Sequence, residues 1–167
     1  MSAWVKGKLD LKCSLDVLKR AIANLMPQWA AHIQIDPNGK LEMYRYRGGG
    51  DEEARRRKDI KVSLLLPGSG NPHFSTPPGR DADNDWGFAV GPDGKWQVHF
   101  AEYNAGQAQQ LANSVKAEVS RMKMLAIAKL KGYQATSTEK DKSGKAIIDI
   151  VVDEDKAREM LQMMQKA

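Results

Sequence analysis

Hydrophobic positions recur with a helical period over the long stretch 104–132. The apolar residues follow one another at intervals of three and four, which places them on one face of a helix. They are Ala108, Leu111, Ala112, Val115, Val119, Met122, Ala126 and Leu130. Asn104 is a suitable N-cap and Gly132 a suitable C-terminal stop. The pattern predicts one helix of about 40 Å around which the fold is organised.

Alternation of apolar and polar residues predicts strands in the rest of the chain. The predicted strands cover 3–12, 31–35, 41–47, 59–66, 86–90, 96–100, 133–138 and 145–152. Proline-glycine or glycine turns join three pairs of them as hairpins: 31–35 with 41–47, 86–90 with 96–100, and 133–138 with 145–152. A second main helix is predicted between Ser14 and Pro27, and a short terminal helix after Asp153.

This order of elements predicts an α+β protein. Because hairpins predominate, the sheet should be largely antiparallel, with the two main helices on one face in ferredoxin-like halves and a short C-terminal helix. A chain of 167 residues suits a single domain over 1–167. The charged and Gly/Pro-rich region at about 48–84 is predicted to be an insertion, with a long loop over 67–84.

Composition narrows the class of protein. With 41% hydrophobic and 28% charged residues, the chain resembles globular proteins rather than disordered ones. No apolar run approaches the roughly 18 residues of a membrane span, and the N-terminus lacks the apolar core of a signal peptide. Cys13 is the single cysteine, which excludes an internal disulfide framework. We therefore expect a cytoplasmic protein without a membrane partner.

Four consecutive basic residues form the sharpest charge feature. They are Arg55, Arg56, Arg57 and Lys58, and Arg45 and Arg47 lie shortly before them. Arginine clusters hold phosphates through bidentate hydrogen bonds, so with a net charge of +5 the run predicts a site for nucleic acid or another polyanion. Asp51, Glu52 and Glu53 stand directly upstream, so a solvated linker that neutralises itself is the alternative interpretation.

Other residues would extend such a surface. Lys116 and Lys123 fall on one flank of the long helix, although surface helices commonly carry charged flanks. Tyr44 and Tyr46 share one face of a predicted strand, as on a stacking platform for single-stranded nucleic acid. The aromatic residues of 86–100 are instead predicted to form the core under the long helix.

The sequence contains no pattern typical of catalysis or metal binding. The three histidines have no partner at the spacing of a zinc motif. Asp81, Asp83 and Asp85 lack the glycine and glutamate of a calcium loop, and the glycines of 68–79 lack the lysine of a phosphate-binding loop. We therefore predict a binding protein that is not an enzyme and needs no cofactor or metal.

One apolar feature remains outside the helical stripe. Met124, Leu125 and Ile127 make the end of the long helix apolar on nearly all sides. Either the terminal helix packs Met160 and Met164 there, or a partner chain or second copy does. The second arrangement would be a methionine-rich docking surface, so a protein-interaction role is the alternative function.

The second half of the chain resembles a known family. Trp86-Gly87-Phe88, the Pro-Asp-Gly turn after it, Lys131-Gly132-Tyr133 and the Asp141-to-Gly144 turn carry the resemblance, together with Ser14-Leu15-Asp16-Val17-Leu18. These features resemble the Ycf-thirty-five family, a domain of unknown function in chloroplasts, cyanobacteria, other bacteria and their viruses. The resemblance implies a compact α+β fold without catalytic residues. It also implies an adaptor role beside ring-forming ATPases. A component of a phage or other assembly, whose long loop orders on binding, is a third interpretation of the chain.

Overall fold

The computed structural model describes residues 4–45, 50–80, 83–140, 142, 146–152 and 162. The helices are α1 (Leu15–Leu25), α2 (Glu52–Arg55) and α3 (Ala105–Leu130), with short 3-10 turns at Pro27–His32 and Glu102–Asn104. The strands are β1 (Trp4–Lys8), β2 (Gln34–Ile35), β3 (Leu41–Tyr44), β4 (Arg56–Val62), β5 (Leu64–Leu66), β6 (Trp86–Val90), β7 (Trp96–Ala101), β8 (Tyr133–Lys140) and β9 (Ala146–Val152). The predicted α+β class is confirmed. In these ranges no helix has the length and apolar character needed to cross a membrane.

The chain divides into two units, 1–116 and 117–167. The first contains an antiparallel five-stranded sheet in the order β1-β7-β6-β5-β2 and a two-stranded ribbon of β3 and β4. The second contains the antiparallel pair β8–β9. Helix α3 begins in the first unit and ends in the second. The prediction of one domain over 1–167 is not tested by this division and stays a prediction.

One face of the five-stranded sheet, the helix face, carries much of the apolar core. Strand register places Leu64, Phe88 and Val98 side by side on it, and each is at most 1% exposed. Both main helices lie on this face, because Trp86 of β6 lines a cavity together with Leu25 of α1 and Leu111 of α3. The predicted placement of two helices on one face therefore holds within the first unit.

The opposite face of the sheet, the ribbon face, packs against the β3–β4 ribbon. Met43 and Val62 of the ribbon form a fully buried cluster with Leu65 of β5. The ribbon approaches most closely at Gly87, where an added Cβ would stand 2.6 Å from Val62 Cγ1 and 2.8 Å from Met43 Sδ. A glycine in β6 is thus what allows the ribbon to lie flat on the sheet.

The two main helices begin and end close to where the sequence places them. Ser14 caps α1 by accepting a hydrogen bond from Val17 N at 3.2 Å, and the helix ends before Pro27. Helix α3 ends before Gly132, whose positive φ of 75° is the usual C-terminal geometry. These capping predictions are confirmed because they depend on local chemistry alone.

The predicted apolar stripe of α3 is correct for its first half and wrong for its second. Ala108, Ala112, Val115 and Val119 are at most 1% exposed. In contrast, Leu130 is 84% exposed, Ala126 is also exposed, and Ala128 is buried in their place. At 100° per residue, Ala128 lies half a turn away from Val119. The two halves of α3 therefore bury different faces, which a single stripe could not describe.

The first predicted hairpin is wrong. Residues Pro27–His32 form a 3-10 turn rather than the start of a strand, and Trp29 within it donates from Nε1 to the carbonyl of Pro78 at 2.8 Å. Strand β2 pairs with β5, whereas β3 pairs with β4. The Asp36–Gly39 turn forms as predicted, but the strands on either side of it enter different sheets. The two later hairpins, β6–β7 and β8–β9, are confirmed.

The region predicted as an insertion supplies strands to both sheets of the first unit. The single strand expected over 59–66 is two strands, because the chain passes from the ribbon to the main sheet at Ser63. Ser63 N donates to Phe88 O at 2.8 Å, and Ser63 O accepts from Asp36 N at 2.8 Å. Residues 67–80, 83 and 84 contain no helix or strand, as predicted. The predicted terminal helix after 153 lies outside the described residues.

Substitution of Gly87 by alanine tests the close approach of ribbon and sheet. The added methyl group would overlap Val62 and Met43, so we expect the free energy of unfolding to fall by about 1–3 kcal/mol. Denaturant titration monitored by circular dichroism measures the change. Gly106→Ala is the matched control, since a Cβ added there would meet no neighbouring atom within 4 Å and alanine favours the helix. Equal stability of the two variants would contradict this packing of ribbon on sheet.

Candidate anion-binding site

The basic run 55–58 is not a flexible linker, because it is divided between a short helix and a strand. Asp51 caps α2 by accepting from Ala54 N at 2.9 Å, and Arg55 at its end donates from Nη1 to the carbonyl of Gly70 at 2.5 Å. Arg56, Arg57 and Lys58 begin β4. The linker part of the alternative interpretation is therefore wrong, and the ribbon sets the directions of these side chains.

Carboxylates lie beside the basic residues of the ribbon. Arg56 contacts Glu53 at 2.8 Å and Glu42 at 3.4 Å. Lys58 forms an ion pair with Glu53, and Lys61 contacts Glu42 at 2.6 Å. The hydrogen bond from Lys61 lowers the pKa of Glu42, and those from Lys58 and Arg56 lower the pKa of Glu53. The alternative interpretation, an internally neutralised segment, fits most of this run.

Arg57 differs from its neighbours because it also contacts an aromatic ring. Its guanidinium donates two hydrogen bonds to Asp59, at 3.0 and 2.8 Å, and these lower the pKa of that carboxyl. The same group lies 5.3 Å from the centroid of the Trp4 ring. A cation held over an indole in this way joins the ribbon to the first strand of the sheet.

Strand β1 adds exposed lysines on the same side of the molecule. The register of β1 with β7 places Trp4, Lys6 and Lys8 on the ribbon face, with His99 directly opposite Lys6 and Gln97 opposite Lys8. We call these five residues the β1 surface. Lys6 and Lys8 are exposed, and within the described chain no carboxylate lies at ion-pair distance from either. Their charges are therefore available to a ligand.

The pKa of His99 responds to the positive charge of this surface. Its pKa is lowered, chiefly by burial and additionally by the charge of Lys6, while Asp59 acts in the opposite direction. The imidazole is consequently neutral at neutral pH. A bound anion beside it would raise its pKa, which gives the surface a local reporter.

Arg45 and the tyrosine pair have a different placement from the one predicted. A bulge between Glu42 and Met43 breaks the alternation of β3, so that Met43 and Tyr44 are both buried. Tyr44 is 3% exposed and therefore is not a stacking platform. Arg45 follows β3, is half-buried, and its backbone N–H donates to Arg55 O at 3.0 Å. Tyr46 and Arg47 lie outside the described residues.

Lys116 of the long helix contacts a carboxylate that precedes α1. Lys116 stands 3.8 Å from Asp10, a carboxylate that also pairs with Lys95. The hydrogen bond from Lys95, and then the charges of Lys95 and Lys116, lower the pKa of Asp10. Lys123 is exposed and belongs to the second unit of the chain. The carboxylate that Lys116 contacts is therefore not one of those beside Arg56 and Lys58.

The apolar residues proposed as a protein interface are exposed in part. Met124 and Ile127 are 49% and 48% exposed, whereas Leu125 is half-buried. Leu130, which the sequence placed in the core, joins the exposed pair. Met160 and Met164 lie outside the described residues.

A buried carboxylate that the sequence analysis did not identify organises the long loop. Asp85 is fully buried and accepts from Tyr44 N at 2.9 Å, Gly68 N at 2.8 Å and Asn71 Nδ2 at 2.8 Å. Burial raises its pKa to about 6, against the opposing effects of these three donors and of the charge of Arg80. The sequence offers no signal for this role, because the donors are distant along the chain.

A second polar contact extends from this cluster to the loop surface. The hydroxyl of Tyr44 and Nε2 of His73 are 3.0 Å apart, and Glu52 lies 3.4 Å from the same nitrogen. Burial, more than the nearby glutamates, raises the pKa of Tyr44. In the part of the chain that is described, no group of three or more His, Cys, Asp or Glu residues is placed to hold a metal ion.

Comparison with known proteins adds no assignment: no family model, curated protein or solved structure matches this chain. The resemblance to the Ycf-thirty-five family therefore stays a prediction, and so do the adaptor role that it implies and the role in a phage or other assembly.

Removing one of the hydrogen-bond donors to Asp85 tests whether these donors lower the pKa of its carboxyl group. Asn71→Ala deletes a hydrogen bond to the charged form, so we expect the pKa of Asp85 to rise above its value of about 6. Titration of the aspartate carboxyl carbons by NMR measures it. Ser69→Ala is the control, because it removes a bond from the same loop to Asp83 and should leave Asp85 unchanged.

The same raised pKa fixes the direction of the pH dependence. Since the pKa of Asp85 in the folded protein exceeds the unfolded value near 4, the protonated form favours folding. We expect the contribution of Asp85 to stability to be complete below pH 4 and to be lost as the pH rises through 6. An Asp85 midpoint near pH 4 in the folded protein would contradict this account.

Proposed function

We propose that this protein binds a polyanion, most plainly single-stranded nucleic acid, on the β1 surface and the adjoining edge of the ribbon. The observation that carries the proposal is the alignment of Trp4, Lys6 and Lys8 on one face of an edge strand. Lysines two residues apart on a strand stand roughly 7 Å from each other, so they present a row of charges. The protein acts here as a binding protein, and no catalytic step is assigned to it.

An aromatic ring beside lysines favours nucleic acid over other polyanions as the ligand. Bases stack on indole rings without regard to sequence, while ammonium groups contact the backbone phosphates. Trp4 is partly exposed and is already held in place by Arg57, so the ring is ordered before a ligand arrives. A polyanion without bases would use the lysines and gain nothing from the ring.

The ribbon contributes to this function in a secondary way. Its carboxylates compete with a ligand for Arg56, Arg57 and Lys58, so a phosphate must displace an existing partner to reach them. Exposed ion pairs contribute little to stability, so exchanging one of these partners for a phosphate costs little free energy. Lys6 and Lys8 have no partner of this kind among the described residues. We therefore expect them to contribute most of the binding.

Neutralising the two lysines tests the proposal. We expect Lys6→Gln combined with Lys8→Gln to weaken binding of a labelled single-stranded oligonucleotide at least tenfold at low salt, because two phosphate contacts are lost. The dependence of log affinity on log salt should become shallower by roughly 1.4, at about 0.7 per contact. Fluorescence anisotropy across a salt series measures both quantities.

A matched control uses two basic residues of α1, on the opposite face of the sheet. Lys19→Gln with Arg20→Gln lowers the net charge equally and should leave affinity and salt dependence nearly unchanged. A local readout is the pKa of His99, which should rise when the oligonucleotide binds. Equal losses in the two double variants, or absence of binding at low salt, would overturn the proposal.

A second candidate function, protein interaction, is favoured by the exposed apolar side chains of α3. Met124, Ile127 and Leu130 present large apolar surfaces within two helical turns. The partner that can be tested directly is a second copy of this chain.

If self-association uses this surface, we expect the mass from light scattering to rise with protein concentration and Ile127→Glu to abolish the rise. Lys129→Ser changes an exposed neighbour and serves as the control. A monomer mass at all concentrations would reject self-association.

A further inference from the structure

A cavity on the helix face is independent of the β1 surface. It lies where the end of α1, the 3-10 turn after it, the loop before β6 and the first turns of α3 meet, and its volume is about 420 Å³. The apolar part of its lining includes Met26, Trp29, Trp86 and Leu111. This size and character are typical of pockets for small organic molecules.

Arg80 gives this apolar cavity a buried positive charge. The residue is 7% exposed and lines the cavity. Its Nη1 donates to the carbonyl of Pro67 and its Nη2 to Asn84 O at 2.5 Å, whereas Nε has no partner among the described residues. Both acceptors are neutral, and within the described ranges no carboxylate lies at ion-pair distance from the guanidinium. Burial lowers the pKa of Arg80 to about 9, while the charge of Asp85 acts in the opposite direction, so the cation persists at neutral pH although it is poorly solvated.

Trp86 carries a second hydrogen-bond donor without an acceptor. Its ring lies 4.2 Å below the guanidinium carbon of Arg80, and its Nε1 is buried with no partner among the described residues. Two other buried indoles are satisfied: Trp29 donates to Pro78 O at 2.8 Å and Trp96 to Cys13 O at 2.9 Å. Unpartnered buried donors are uncommon in proteins, and here two of them belong to a stacked pair that lines one cavity.

We propose that this cavity binds a small organic anion, an aromatic carboxylate. The flat ring of the ligand would lie among Trp29, Trp86 and Leu111, and its carboxylate would approach Arg80 and supply the acceptor that the buried donors lack. A single carboxylate matches one desolvated guanidinium, since its charge offsets that of Arg80 inside an apolar wall. A phosphate monoester, with up to two charges, would bring more negative charge than this single guanidinium offsets.

Binding of a matched pair of probes tests the proposal. We use 1-naphthoate and the uncharged 1-naphthylmethanol, which share the ring and differ in the charged group. Isothermal titration calorimetry on the full chain should show 1-naphthoate binding at least tenfold more tightly than the alcohol. Equal affinities would overturn the role of Arg80, and absence of binding by both probes would overturn the site.

Two variants locate the binding within the cavity. Ser114 lines the cavity from α3, so Ser114→Phe should reduce 1-naphthoate affinity at least tenfold by filling it. The matched control is Asn113→Phe, an exposed neighbour on the same helix, which should leave the affinity unchanged. Undiminished binding in Ser114→Phe would place the probe elsewhere and overturn the proposal.

A third variant keeps the test decisive if Ser114→Phe fails to fold. Trp86→Phe retains an aromatic ring below Arg80 but removes the Nε1 donor. We expect it to reduce the preference for 1-naphthoate over 1-naphthylmethanol while binding of the alcohol persists. An unchanged preference would contradict the role given to the indole donor. Because 1-naphthoate carries a single charge and 1-naphthylmethanol carries none, these outcomes are independent of those for nucleic acid on the β1 surface.

Discussion

The buried carboxylate of Asp85 is the interaction on which the rest of the first unit depends. It stands directly before β6 and holds the end of β3 through Tyr44 N and the long loop through Gly68 N and Asn71. Three donors on one carboxylate thus join the end of β3 and the long loop to the start of β6. Because an uncompensated buried charge would be costly, these segments cannot separate from Asp85 without exposing or protonating it.

The loop held by Asp85 contributes both to the start of the ribbon and to the cavity on the helix face. The loop held by Asp85 presents the carbonyl of Gly70 to Arg55 and so fixes the start of the ribbon strand. Farther along, the same loop carries Arg80 onto the ring of Trp86 and forms one wall of the cavity. This loop contains no helix or strand, yet it positions other parts of the first unit, because hydrogen bonds between side chains and backbone hold it in place.

The sequence predicted what is encoded locally and missed what depends on distant contacts. Caps at Ser14 and Gly132 and the hairpin of β6 and β7 follow from neighbouring residues, and all three are correct. The pairing of β2 with β5 could not be derived from the sequence. It depends on the 3-10 turn before β2, which a hydrogen bond from Trp29 to the distant Pro78 holds in place. The bulge after Glu42 likewise buries Tyr44 against the alternation of its strand.

For the candidate sites, sequence patterns found the charges but not their partners. The run 55–58 was visible, yet its neutralisation by Glu42 depends on the pairing of two strands. Trp4, Lys6 and Lys8 occupy alternate positions of the first predicted strand. This period-two spacing was the sequence signal that could have placed them on one face. No comparable signal marks Arg80, whose importance arises from burial alone.

Environment, rather than residue type, separates the two kinds of anion site. Lys6 and Lys8 are surrounded by water, where mobile ions screen their charges within about 8 Å at physiological salt. Binding there is therefore additive over many weak contacts and suits a long polyanion. Arg80 is almost fully buried, so salt screens it little and one anion suffices to offset its charge. Under the two proposals, the same +1 charge thus selects a polymer on the ribbon face of the sheet and a small molecule on the helix face.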